Sequence, residues 1–214
     1  MSSIYVINLK RAPERLLRLE QQFAKSGNTF TCVEAVDYKN NVGFENLRKT
    51  MSVYLQRGHA GCALSHILLL QQFIRDENSP YCIVLEDDAE LLRKLPSSDS
   101  EISNVIRSVK HGLDMLYLTS SVSYDSEHRV IAGSGTYGYI ITRKGAAKVL
   151  TITRHLSVPI DLRLIAHSPV CDCYKPQHLC PTHPELELES YASKTPYVAH
   201  KDCGFSYVNQ SNKQ

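Results

Sequence analysis

The sequence predicts an α/β sandwich with a mostly parallel central sheet. Short apolar, β-rich runs alternate with longer segments whose apolar residues recur at helical spacing. Gly, Pro, Asn and Asp punctuate the boundaries between them. There is no internal repeat, no low-complexity block and no sharp shift in composition, so residues 1–208 read as one domain followed by a frayed polar tail, 209–214.

The first unit is strand, turn, helix. Tyr5 to Leu9 is apolar in the manner of a buried parallel strand. Pro13 suits the first turn of a helix and Glu14 its positive end. Leu16, Leu17, Leu19, Phe23 and Ala24 keep a helical spacing, and Gly27 supplies the stop. Phe30 to Val36 reads as a second strand and Asp37 to Gly43 as a loop. Gly58 to Ile74 is a long helix with a broad apolar face, broken by Asn78-Ser79-Pro80. Tyr81 to Leu85 is then a short central strand that ends in Glu86-Asp87-Asp88.

Pro96 to Asp99 is a turn, Ile102 to Val109 a helix and Leu113 to Thr119 a strand. Arg129 to Ala132 and Tyr137 to Thr142 read as strands flanking the Gly133-Ser134-Gly135 turn. Thr142 caps a helix through Leu150, and a short helix follows from Pro159 to Ala166. After Ser168 the pattern weakens.

Composition excludes several classes of function. Among 214 residues, 43% are hydrophobic and 21% charged, which argues against wholesale disorder. The formal charge is only +2, too balanced for a dedicated nucleic-acid binder and too small to draw the chain to an anionic membrane. The longest stretch without formal charge, Gly58 to Ile74, contains His59, Ser65, His66, Gln71 and Gln72, so no transmembrane segment is expected. The opening apolar run is too short for a signal-peptide core. Seven cysteines show no disulfide spacing and read as reduced thiols in a cytoplasmic setting.

The acids at the strand end carry the most chemical information. Three consecutive carboxylates repel one another unless cations or donors face them. Ligands of open α/β sheets lie beyond the carboxyl ends of the strands, where Glu86, Asp87 and Asp88 would hold a hard divalent cation and, through it, a diphosphate. A solvated acidic loop balanced by Arg93 and Lys94 is the plainer alternative. At the end of the first strand, Asn8, Arg11 and Arg15 surround a helix N-terminus, an arrangement that favours phosphate. Arg11 and Arg15 serve equally as surface charges, and Arg18 is read as one.

These segments resemble glycosyltransferase family 25, the lipopolysaccharide-biosynthesis and collagen-galactosyltransferase type. Ile4-Tyr5-Val6-Ile7-Asn8-Leu9-Lys10-Arg11 with Arg15 is similar to the family's opening. Gly58 to His66 resembles its Gly-x-x-Gly-Cys-x-x-Ser-His block, and Val84 to Ala89 its acidic motif. Gly135 to Ala146 resembles a Tyr-rich block, and Pro159-Ile160-Asp161 a later Pro-x-Asp motif. The blocks occur in order across residues 4–166.

The resemblance implies a GT-A type fold, Rossmann-like, and inverting transfer of a hexose, galactose or glucose, from a UDP-sugar to a saccharide or hydroxylated acceptor. Asp88, with Glu86, would hold Mn²⁺ or Mg²⁺. Asn8, Arg11, Arg15, Ser65, His66, Glu86, Asp87 and Tyr137 would face the nucleotide sugar. Asp161 is the candidate general base, or else a helix cap. Ser65 and His66 sit within the long helix, where His66 is a ligand contact or a hydrogen-bonded core residue. Cys62 is expected to pack as a small apolar group, and Tyr137 and Tyr139 either to stack on a sugar or the uracil or to pack together on one sheet face. Cys171, Cys173, His178, Cys180, His183, His200 and Cys203 match zinc spacing poorly. The rival readings are a non-catalytic nucleotide-sugar or glycan-binding module, and a metal-dependent phosphohydrolase lacking an evident nucleophile.

Overall fold

The computed structural model describes residues 4–76, 78–110, 112–170 and 186–201. Strand β1 (Ile4–Asn8) leads into helix α1 (Pro13–Ser26), which Gly27 terminates in the left-handed conformation at φ 71°. Then come β2 (Thr31–Glu34), the single-turn α2 (Phe44–Leu47), the long α3 (Arg57–Arg75) and β3 (Tyr81–Glu86). The chain continues through β4 (Ala89–Leu91), α4 (Asp99–Arg107), β5 (Met115–Tyr117), β6 (Val122–Tyr124), β7 (Val130–Gly133) and β8 (Gly138–Thr142). Helices α5 (Arg143–Ile152) and α6 (Ile160–Ala166) precede β9 (Ser190–Ala192) and β10 (Val198–His200).

The main sheet has the order β2-β1-β3-β8-β5-β9, and only β8 runs against the others. The predicted α/β/α sandwich with a mostly parallel sheet is therefore present. Side-chain alternation assigns its two faces. Cys82, Val84, Tyr139 and Ile141 point into a core shared with α3, α5 and α6, while Ile83, Leu85 and Ile140 point into one shared with α1 and α4.

The strands predicted on either side of Gly133-Ser134-Gly135 exist but do not pair. β7 pairs with β6, and β8 inserts between β3 and β5. No crossover helix separates β5 from β8, so the chain returns beside β5 antiparallel. That reversal places Thr136 and Tyr137, just ahead of β8, at the carboxyl end of β3. Strand β10 pairs antiparallel with β4, with His200 opposite Ala89. No helix among the described residues is long and apolar enough to cross a membrane. Cys32, Cys62 and Cys82 are free thiols. The tail candidates Cys171, Cys173, His178, Cys180, His183 and Cys203 lie outside the described residues.

Candidate active site

Parallel pairing of β1 with β3 sets Ile7 opposite Glu86, so the carboxyl ends of both strands open on one side of the sheet. There they form a cleft of about 640 Å³, its open mouth included. Arg11, Arg15, Ser65, His66, Glu86, Asp87 and Asp88 all line it, together with Asp37 and Cys62.

Helix α3 reaches this cleft by a close approach. A Cβ on Gly61 would lie 2.7 Å from the Val36 carbonyl oxygen, so only glycine lets the helix come so near the chain leaving β2. One turn on, the Ser65 hydroxyl accepts from Val36 N–H at 2.8 Å and donates to the Gly61 carbonyl at 2.7 Å. Its role in this geometry is to fasten the helix to the loop.

His66 is buried and makes two contacts. Its Nδ1 lies 2.8 Å from the Tyr139 hydroxyl and its Nε2 3.3 Å from Glu86 Oε1. Thr136 also donates to Glu86 Oε1. Burial pushes the Glu86 carboxyl up, but hydrogen bonding and charge from His66, with help from Thr136 and His200, leave it below the ordinary 4.5.

The three acids have three different environments. Asp87 is buried, with Oδ1 2.9 Å from Arg15 Nη1 and Oδ2 3.4 Å from the Leu9 N–H. Burial still raises its carboxyl above the ordinary 3.8, the Arg15 contact only partly offsetting it. Asp88 Oδ2 faces Arg15 at 4.0 Å and His200 Nε2 at 3.5 Å. Its Oδ1 is buried without a hydrogen-bond partner among the described residues. Burial first, then the charges of Glu86 and Asp87, push Asp88 up to about 8 against the pull of Arg15. A shielded carboxylate oxygen with no donor, in a field that disfavours its own charge, fits a divalent cation.

The basic residues are less exposed than their helical spacing suggests. Arg11 Nε donates to Asp37 Oδ2 at 2.8 Å. Arg18, read as a surface charge, instead donates through Nη2 to the Asp87 and Ala89 carbonyls at 2.8 and 3.3 Å. The turn after β3 folds back over α1, which helix periodicity alone does not show. Arg93 lies 3.6 Å from the centre of the Tyr197 ring. Asn8 sits at the lip of β1, its side-chain Oδ1 buried and without a hydrogen-bond partner among the described residues.

Asp161, which is not among the residues lining the cleft, is the second residue of α6. No side chain caps that helix; Asp161 Oδ2 accepts from the Gly135 N–H at 2.8 Å. Gly135 has φ +84°, and a Cβ there would collide with the Tyr137 ring. Tyr137 in turn packs on His200, ring centres 4.3 Å apart. Tyr139, predicted to share a face with Tyr137, is buried in the sheet against His66. The structure therefore adds Thr136 and His200 to the residues around the acids. His200 stood among the candidate zinc residues of the tail, and only the β4–β10 pairing ties it to Asp88.

Residues 1–164 match the family model described as glycosyltransferase family 25 (LPS biosynthesis protein). The chain belongs to glycosyltransferase family 25. It is 27% identical over 173 residues to a glycosyltransferase 25 family member of Aedes aegypti. It is 28% identical over 171 residues to one of Drosophila melanogaster. Each match covers 70% of this chain and 28% of the relative, so the family 25 chain spans little more than a quarter of these relatives' length. Among solved structures it is similar to a mutant Drosophila β1,4-galactosyltransferase 7 in complex with manganese, UDP-Gal and xylobiose. That match has TM-score 0.49 and 11% identity, and covers 99% of this chain and 74% of that one. It is also similar to HddC from Yersinia pseudotuberculosis complexed with GMP-PN, with TM-score 0.47, 13% identity and coverage of 97% and 96%.

Proposed function

We propose that this family 25 chain is an inverting, divalent-metal-dependent glycosyltransferase that moves galactose or glucose from a UDP-sugar to a hydroxyl of a glycan or other hydroxylated acceptor. The observation that carries the reading is Asp88, whose buried Oδ1 lacks a donor at the lip of the cleft. Asp88 and His200 would hold Mn²⁺ or Mg²⁺, with Glu86 close to the same charge. When bound, such a cation supplies positive charge against the diphosphate that departs with UDP.

The chain's own residues do the rest. Arg15 holds Asp87 and leaves the turn after β3 in one position, so Asp88 meets its ligand preorganised. The Arg11–Asp37 pair at the cleft wall offers a cation toward the donor's phosphates and a carboxylate toward its hydroxyls. Inversion needs one displacement, with a base on the acceptor hydroxyl. Asp161 supplies it: the Gly135 amide fixes Oδ2, and Oδ1 takes the proton as the oxygen attacks the anomeric carbon.

The test is UDP release from UDP-galactose and UDP-glucose with Mn²⁺ in wild type, Asp88→Asn and Asp161→Asn. Turnover in wild type and its loss in both variants is expected, with UDP-sugar binding retained by Asp161→Asn. Binding without turnover on any acceptor would establish the non-catalytic module instead, and equal turnover in Asp88→Asn would remove the metal role.

A further inference from the structure

A second group of ligand-type side chains lies deeper in the same cleft, apart from Asp88. Cys62 and His66 are one helical turn apart on α3 and project from the same face. Glu86 meets them from the end of β3. One donor atom from each of the three lies within 4.8 Å of the others. Zinc bonds of about 2.3 Å to sulfur and about 2.0–2.2 Å to nitrogen and oxygen place tetrahedral donors about 3.3–3.8 Å apart. Closing that gap takes a shift of the Cys62 and Glu86 side chains on binding.

The surroundings are those of a ligand set already oriented. Tyr139 sits on His66 Nδ1 at 2.8 Å, which leaves Nε2 directed at Glu86. Thr136 donates to Glu86 Oε1. Outer-shell hydroxyls such as these, on the imidazole and the carboxylate, are the usual means of fixing a tautomer and a carboxylate orientation at a metal. Burial first, and then the negative charges of Glu86, Asp161 and Asp88, hold the thiol well above its ordinary 9.0, so the thiol proton must leave as a metal binds. All three residues line the cleft, which gives an ion a path to them.

We propose that Cys62, His66 and Glu86 form a soft-cation site, selective for Zn²⁺ or Cd²⁺ over Mn²⁺ and Mg²⁺, within the nucleotide cleft. A thiolate and an imidazole select zinc-like ions, whereas manganese and magnesium favour oxygen donors. Binding forms a metal–sulfur bond and releases the thiol proton to solvent. Because Glu86 and His66 are then drawn toward the ion, filling this site inhibits donor binding. That last consequence rests on the function proposed above; the binding does not.

The experiment is equilibrium dialysis of the full chain, stripped of metal, against Zn²⁺, with Cd²⁺ titration read by the ultraviolet thiolate-to-cadmium band. Cys62→Ser and His66→Gln are expected each to bind one equivalent fewer than wild type and to lose that part of the band. Any binding by the tail cysteines cancels in the comparison. Asp88→Asn is expected to keep the zinc equivalent while losing Mn²⁺, which separates failure here from failure of the proposed activity. Unfolding curves recorded in chelator identify a variant that has not folded, and the other variant then decides. Equal stoichiometry and an unchanged band in wild type and the folded variant overturn the proposal. So does displacement of the Zn²⁺ by equimolar Mn²⁺.

Discussion

The Arg15 guanidinium lies 2.9 Å from the Asp87 carboxylate, with both side chains only 9% exposed. A buried charge pair is costly to break because the surviving partner stays desolvated. Arg15→Ala is therefore expected to destabilise the fold by about 3–5 kcal/mol, toward the lower end because the Asp87 carboxyl can take up a proton. Denaturant unfolding measures it. Arg15→Met combined with Asp87→Asn removes the charge from both sides and should recover at least half of the loss. A single-variant cost within 0.5 kcal/mol, the range of ordinary surface substitutions, would show the pair to be dispensable.

His200 approaches Asp88 Oδ2 at 3.5 Å and packs against Tyr137. If it shares or orients the cation at Asp88, His200→Ala should weaken Mn²⁺ binding by about 10–100-fold, the usual effect of removing a partner from a ligand. Calorimetry or the Mn²⁺ spin resonance signal reads this directly. His200→Gln, which keeps a donor and an acceptor, should lose less. Unchanged Mn²⁺ affinity in the alanine variant would confine His200 to packing on Tyr137.

The contrast between Asp88 and His200 shows what was legible in the sequence. β1, α1, α3, β3 and β8 follow from apolar period and punctuation, because each buries a long enough face to leave a pattern. The acids were legible because they interrupt such a run at a strand end. β4, β9 and β10 have three residues each, too few for a period, and exist by pairing with distant partners. His200 reaches the site only through that pairing. Arg18 differs from the sequence expectation for a related reason: its helix position is polar-facing, and the turn that covers it comes from the distant end of β3.

Gly135 links Asp161 to Tyr137: its N–H donates to Asp161 Oδ2, and the Tyr137 ring lies against its Cα. Its φ of +84° and the Tyr137 ring both exclude a side chain. Gly135→Ala is expected to cost about 1–3 kcal/mol in backbone strain alone. It should also displace the amide from Asp161 and lower kcat more than it raises KM for the donor. Asp161→Asn keeps an acceptor for that amide, so its unfolding midpoint should stay near wild type while turnover is lost. A Gly135→Ala protein with normal stability and kcat would contradict the role given to the loop.

His167 follows α6 and is buried, and neither ring nitrogen has a side-chain hydrogen-bond partner among the described residues. Burial, reinforced by the nearby Arg163 charge, pushes its pKa down from 6.5 to about 4. The unfolded chain then binds this proton more readily than the folded one, so stability is intact above about 6.5 and falls as the pH drops toward 4. His167→Leu removes the titrating group and fills a similar apolar volume. The variant's unfolding free energy should vary less between pH 6.5 and 4 than that of wild type, with the two curves converging in shape above 6.5. Denaturant melts at several pH values across that window decide it. Parallel curves throughout would mean that the folded protein protonates His167 as easily as the unfolded chain does, and that the acid-side loss arises elsewhere.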